Sequence, residues 1–207
     1  VVVPLLSEDK GSLTIDSINA LAAAHASWGW STLGRSERAA FVSKNCSGTL
    51  LKTAAQTLAN AYVSVVGHQV QVLDREGTLR WMDPWAGACV LAGLRCGAEV
   101  GEPLTHKQIN VNNVRIEDES WDSKTNFAEM IEAGVTVLEP LDVGGFRVML
   151  GNTTYGKDAN FVWNRESVVQ AAGYVAYDLR QNLEAVFIGT KARTGTAEAI
   201  ANFVKAR

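Results

Sequence analysis

No apolar stretch in these 207 residues is long enough to cross a bilayer, which takes about 20 residues. The most apolar segment, Pro84 to Ala98, is shorter than that and is interrupted by Arg95. Basic excess is also missing. The formal net charge is −3, so the chain lacks the footprint of a free-standing nucleic-acid binder. Cysteine is scarce and odd in number: Cys46, Cys89 and Cys96 form no framework spacing, which fits a reducing compartment better than a disulfide-stapled fold. Prolines number only 4, and no low-complexity tract is present. What remains is ordinary globular composition, 47% hydrophobic and 20% charged, enough for one sizeable α/β domain or one domain with an appendage. The ends, Val1-Val2-Val3-Pro4 without methionine and Lys205-Ala206-Arg207 inside a helical pattern, suggest a piece of a longer protein.

The first part of the chain alternates as a parallel sheet requires. Val1 to Leu6 reads as a short strand, followed by a helix capped by Thr14 or Asp16 with Ile15, Ile18, Ala22 and His25 on one face. Ala40 to Ser43 is a second strand, Ser47-Gly48 opens a second helix, and Tyr62 to Val66 is a third strand. Gln69 to Val72, the turn Asp74-Arg75-Glu76-Gly77 and Thr78 to Met82 predict a β-hairpin over about 69–82. Asp83-Pro84 then starts a helix reaching Cys96. Beyond it the pattern gives a strand over Gln108 to Ile116 and a helix over Phe127 to Ala133. Short strands follow at Val135 to Leu138 and Phe146 to Leu150, hinged by Gly144-Gly145. Val168, Ala172, Val175, Leu179, Leu183 and Val186 form the stripe of a long amphipathic helix, and Thr196 caps a last one with Ile200, Phe203 and Val204 on its buried face.

Few residues offer chemistry. Gly151 to Asp158 matches the first seven positions of the phosphate-binding loop G-x-x-x-x-G-K-[ST]. However, Asp158 replaces the metal-binding hydroxyl, and no helix pattern begins before about Arg165; Ala159 to Trp163 reads as a strand. A nucleotide- or small-ligand-binding α/β enzyme using that loop is the alternative to a structural role. His25, His68 and His106 are scattered, so no metal site is expected; His25 reads as a core histidine and the other two as loop residues. Glu117-Asp118-Glu119 reads as a solvated turn, and no nucleophile elbow is present, so neither catalytic residues nor cofactors are expected. Six tryptophans are generous for this length. Trp28 and Trp30, flanking Gly29, are the pair most suited to facing a neighbour.

Several segments, in order, resemble the sheath protein of contractile phage tails. They are Val2-Val3-Pro4-Leu5; Gly67 to Trp81 with Pro84 to Ala88 and Ala92 to Gly97; Pro103 to Lys107; Ala133 to Leu138 with Phe146-Arg147-Val148 and Thr153-Thr154-Tyr155; and Asp178 to Gly189. The resemblance implies an α/β layered sheet with flanking helices, a subtilisin-like core with an inserted β-hairpin, spanning 1–150. Residues 151–207 would then be the helical start of a C-terminal, tube-proximal domain. It implies a structural, non-enzymatic subunit of the virion tail, assembled in the bacterial host cytoplasm. The partners it implies are copies of the same chain, the tail tube protein and the baseplate, without direct nucleic-acid contact or membrane insertion. The subunit would polymerise around the tube and contract to drive it through the cell envelope. Within that reading, Lys191, Arg193, Lys205 and Arg207 form a basic cluster suited to the tube-facing surface.

Overall fold

The computed structural model describes residues 1–116, 124–156, 161–187 and 195–206. Its centre is a parallel pair, β1 (Ala40–Ser43) and β2 (Val63–Val66), with Ala40 opposite Val63 and Ser43 opposite Val66. All eight residues are buried, as expected when both faces of a parallel pair are covered. The predicted first strand contributes a single parallel bridge, Val2 to Ala40, because Pro4 lacks the amide needed to continue a ladder. On the other edge, Val135 bridges Val65 and Thr154 N–H donates to the Val63 carbonyl. Two strands are thus flanked by two single-residue lanes, which leaves little free edge.

Strand alternation sends Ala40, Val42, Val63 and Val65 into one core, with α1 (Ile15–Gly29), α2 (Gly48–Leu58) and α4 (Lys124–Glu132). Phe41 and Val66 enter a second core under α3 (Pro84–Gly97). Thr14 caps α1 as expected, its hydroxyl accepting from Ser17 N–H, and Pro84 takes the first position of α3. Antiparallel strands complete the second side: β3 (Gln69–Leu73) between β4 (Leu79–Met82) and β6 (Asn113–Arg115), and β8 (Phe146–Val148) between β5 (Gln108–Ile109) and β7 (Leu138–Pro140). The predicted strand Gln108 to Ile116 is therefore two strands in different sheets, parted at Asn110–Asn112. Residues 161–163, expected in a strand, lie instead in a 3-10 turn, Phe161–Asn164. The long helix is α5 (Glu166–Phe187), and α6 (Thr196–Lys205) follows.

Three helix faces differ from expectation. Asn19, Ala22, Ala23 and Ala26 form the buried side of α1, and His25 is exposed. The buried histidine is His68, in the link between β2 and β3, its ring 6.2 Å from that of Phe127. On α5 the buried residues are Glu166, Val169 and Gly173, while Val175 and Val186 of the predicted stripe are exposed. In α6 no residue is buried, although Phe203 meets Phe187 edge-on.

Burial lowers the His68 pKa to about 3, and neither ring nitrogen has a partner among the described residues. The unfolded chain takes up this proton near pH 6.5, whereas the folded chain resists it until about pH 3. The stability due to neutral His68 is thus complete above pH 6.5 and falls as the pH drops below it. Urea unfolding at pH 7.5 and pH 5 should show about 2 kcal/mol less loss for His68→Phe than for the parent chain. Equal losses in the two proteins would refute the assignment.

Candidate functional site

The phosphate-loop look-alike is a structural seam. Gly134, at φ +94°, lets the segment pass: a Cβ there would lie 2.8 Å from Thr154 Cα. Asn152, Thr153 and Thr154 are all buried. Asn152 Nδ2 donates to the Ile131 carbonyl, and its Oδ1 accepts from Thr136 Oγ1. The Asn152 carbonyl accepts from Ser64 Oγ at 2.8 Å. Thr153 N–H donates to the Asn164 carbonyl and Thr154 N–H to that of Val63. The Thr154 hydroxyl donates to the Asn60 carbonyl at 3.1 Å and lies 3.0 Å from the Asn60 amide. A phosphate cradle needs amides aimed at open space; here that of 153 is spent on the 3-10 turn and that of 154 on β2. Lys157 and Asp158 lie outside the described residues.

Nearby, α5 forms one wall of a cavity of about 500 Å³. Trp30, Tyr62 and Val1 supply much of its apolar lining, with Val169, Tyr174 and Tyr177 on the α5 side. At its end lies the feature that sequence reading missed, an ion pair between Arg95 and Glu166 with side chains 3% and 4% exposed. Arg95 Nη1 donates to both Glu166 oxygens at 2.9 and 2.8 Å and to the Glu102 carbonyl, while Nη2 reaches the Glu99 carbonyl. Burial raises the Glu166 pKa, and Arg95 opposes that shift. A lone arginine within an apolar helix was the available signal, since such a charge needs a partner. Its partner lies 71 positions away, where no local pattern could indicate it.

The two tryptophans part company. Trp28 is 50% exposed, with Arg38 placed 5.6 Å over its ring, and Arg38 Nη1 also donates to His25 Nε2. Trp30 turns inward: it stacks on Tyr62 at 4.5 Å, and its Nε1 donates to the Arg38 carbonyl. Lys205 is exposed at the end of α6. Lys191, Arg193 and Arg207 lie outside the described residues, as do Glu117, Asp118 and Glu119. Among the described residues, no group of three or more histidine, cysteine or acidic side chains could hold a metal ion.

This is a mixed α/β fold of small sheets with flanking helices, and it is shared with sheath proteins. The sheath tail protein DSY3957 of Desulfitobacterium hafniense matches over 92% of this chain and 42% of its own length, with a TM-score of 0.66 and 17% identity. The helical sheath of the anti-feeding prophage, solved in its contracted state, matches over 90% of this chain and 50% of its own, with a TM-score of 0.59 and 17% identity. By sequence, a protein of Enterococcus phage phiEF24C bearing the name tail sheath protein is 32% identical over 156 residues, covering 74% of this chain and 27% of the relative. No protein-family profile matches the chain. The chain is thus a member of the phage tail sheath proteins, and it spans about a quarter of the length of the phiEF24C relative, 27%.

The Arg95–Glu166 pair yields a direct test. Removing one partner strands a buried charge, so Arg95→Met or Glu166→Leu alone should cost about 3–5 kcal/mol in urea unfolding. The double variant should be closer to the parent chain than either single one. Additive losses would show that the two residues act independently.

Proposed function

We propose that the chain is the core portion of a contractile tail sheath subunit, a structural protein that works by packing against copies of itself around an inner tube. What carries this reading is the 32% identity to a phage tail sheath protein, joined to a fold likeness that covers 92% of the chain. The contracted helical sheath among its structural neighbours supports assembly and shortening as the working mode. In this reading residues 1–150 form a subtilisin-like core, the β3–β4 pair is the inserted hairpin, and 151–207 begin the tube-proximal part. Partners are neighbouring subunits, the tube and the baseplate. The committed polar groups around Asn152 to Thr154 favour structure over nucleotide chemistry.

The mechanism asks little of individual side chains. A sheath subunit stays rigid while its contacts exchange, so energy resides in the difference between two sets of interfaces. A sheet buried on both faces supplies the rigidity. Exposed Trp28 is suited to contact a neighbouring subunit, since aromatic side chains are enriched at such surfaces. The basic residues Lys191, Arg193, Lys205 and Arg207 are suited to the tube, because screened charge contacts hold a register and still release.

Electron microscopy should be made of the protein together with whatever further sequence its gene encodes. Wide, hollow tubes or stacked rings are expected; small discrete particles at every concentration would count against the reading. Reversing the charge of Lys191, Arg193, Lys205 and Arg207 together should then abolish co-assembly with the tube protein while leaving sheath-only tubes intact. Unchanged co-assembly would remove these residues from the tube-facing surface.

A further inference from the structure

Helix α5 has two unlike halves. Its first two turns are anchored: Glu166 in the buried pair with Arg95, Val169 in the core, and Gly173 against Trp30. Gly173 is a tight contact, for a Cβ there would lie 3.1 and 3.2 Å from the Trp30 ring and 3.3 Å from Glu37 Cβ. After Gly173 no residue of α5 is buried, and Tyr174 and Tyr177 stand half-exposed in the cavity wall.

Charge holds this second half to the body. Arg180 pairs with Glu37 and also donates to the Arg35 carbonyl at 2.7 Å. The Arg35 side chain reaches Glu184 at 3.0 Å. Both body-side partners therefore sit in one short segment following Trp30, and Arg35 uses both its carbonyl and its guanidinium. That residue has φ +45°, a left-handed conformation costly for a residue with a side chain. Burial opposes the charge on Glu37, but the Arg180 contacts outweigh it and lower the Glu37 pKa, so the pair stays ionised at neutral pH.

We propose that the second half of α5 is a strap, hinged at Gly173 and latched by the Arg180–Glu37 and Arg35–Glu184 pairs, which closes the cavity beside Trp30 and Tyr62 and can swing off it. Glycine weakens a helix locally, because it lacks the side chain that restricts the backbone of other residues. The latch is built from partly exposed ion pairs, which are individually weak and salt-sensitive. Phe203 meets Phe187 at the far end of the strap, so α6 travels with it. The inference concerns motion within the subunit and stands apart from the sheath reading.

Spin labels at Gln56→Cys on α2 and Gln181→Cys on the strap, with Cys89 and Cys96 changed to serine, report the distance between strap and body. The parent chain at low salt should give one short distance. Glu37→Gln should raise the population of a second, longer distance about threefold. So should about 1 M NaCl, where the screening length falls to about 3 Å. The charge swap Glu37→Arg with Arg180→Glu should restore the short distance. A label at Ser167→Cys, on the anchored half, should not respond to any of these changes, and the helical circular dichroism should stay constant. The proposal is overturned by unchanged distances in Glu37→Gln and in high salt, by equal movement of the Ser167 label, or by lost helical signal, which would mean local unfolding.

Discussion

The parallel pairing of β1 with β2 is the constraint on which the rest of the molecule depends. A parallel pair cannot be closed by a tight turn, so α2 must cross over between the strands. Both of its faces must also be covered, and this places α1, α2 and α4 on one side and α3 on the other. Its edges are covered in turn, by Val2 beside β1 and by Val135 and Thr154 beside β2. The seam at residues 152–154 is shaped by this demand. Its buried hydroxyls and amide bond one another and the carbonyls of neighbouring segments, and the Thr153 and Thr154 N–H groups are paired as the backbone runs through the interior.

Charge has two distinct structural uses here. The Arg95–Glu166 pair is buried, and the cost of removing two charges from water offsets much of their attraction. Its value lies in position: Arg95 also takes the carbonyls of Glu99 and Glu102, so one guanidinium ties the end of α3, the following turn and the start of α5. The pairs at Arg180 and Arg35 are nearer solvent and act between α5 and a single segment. A misplaced α5 start would strand a buried charge, whereas a displaced α5 end returns its charges to water at small cost. Opposite ends of one helix thus differ in how firmly electrostatics can fix them.

Sequence pattern read the central crossover well, because Ala40 to Ser43 and Val63 to Val66 are short apolar runs between clear helix starts. It also found Thr14 and Pro84, whose capping roles are local chemistry. It failed where the deciding contact was remote. In α1, alanines occur on several sides, so periodicity could not separate a face bearing His25 from one bearing Asn19, which reaches the distant Ser43 carbonyl. In α5 the apolar stripe pointed to Val175 and Val186, but the helix is turned by Glu166, Gly173 and Arg180, and two of those are charged. His68 is a loop residue, as expected, but its burial was not legible because Phe127 and the strands around it create it. The phosphate-loop resemblance is discounted on Asp158 and the missing helix. What the segment does instead was not legible, because the partners of Asn152 to Thr154 come from Asn60 to Ser64, from Ile131 to Thr136 and from Trp163 and Asn164.

These misreadings bear on function. A binding or catalytic loop leaves polar groups unsatisfied within the fold so that a ligand can complete them. In this chain the loop most like such a site has its buried polar groups turned inward, and the deepest ion pair ties helices together. The side chains still available for recognition are on the outside: Trp28 under Arg38, the exposed residues of α5, and Lys205 on α6. That division, a loop and a buried ion pair committed to the fold and a surface with aromatic and cationic groups to spare, suits a subunit whose work is done at its boundaries with other chains. It also explains why the fold can persist at 17% identity to known sheath structures. Burial and backbone pairing constrain the interior in kind, and they leave the surface free to follow the neighbours it must meet.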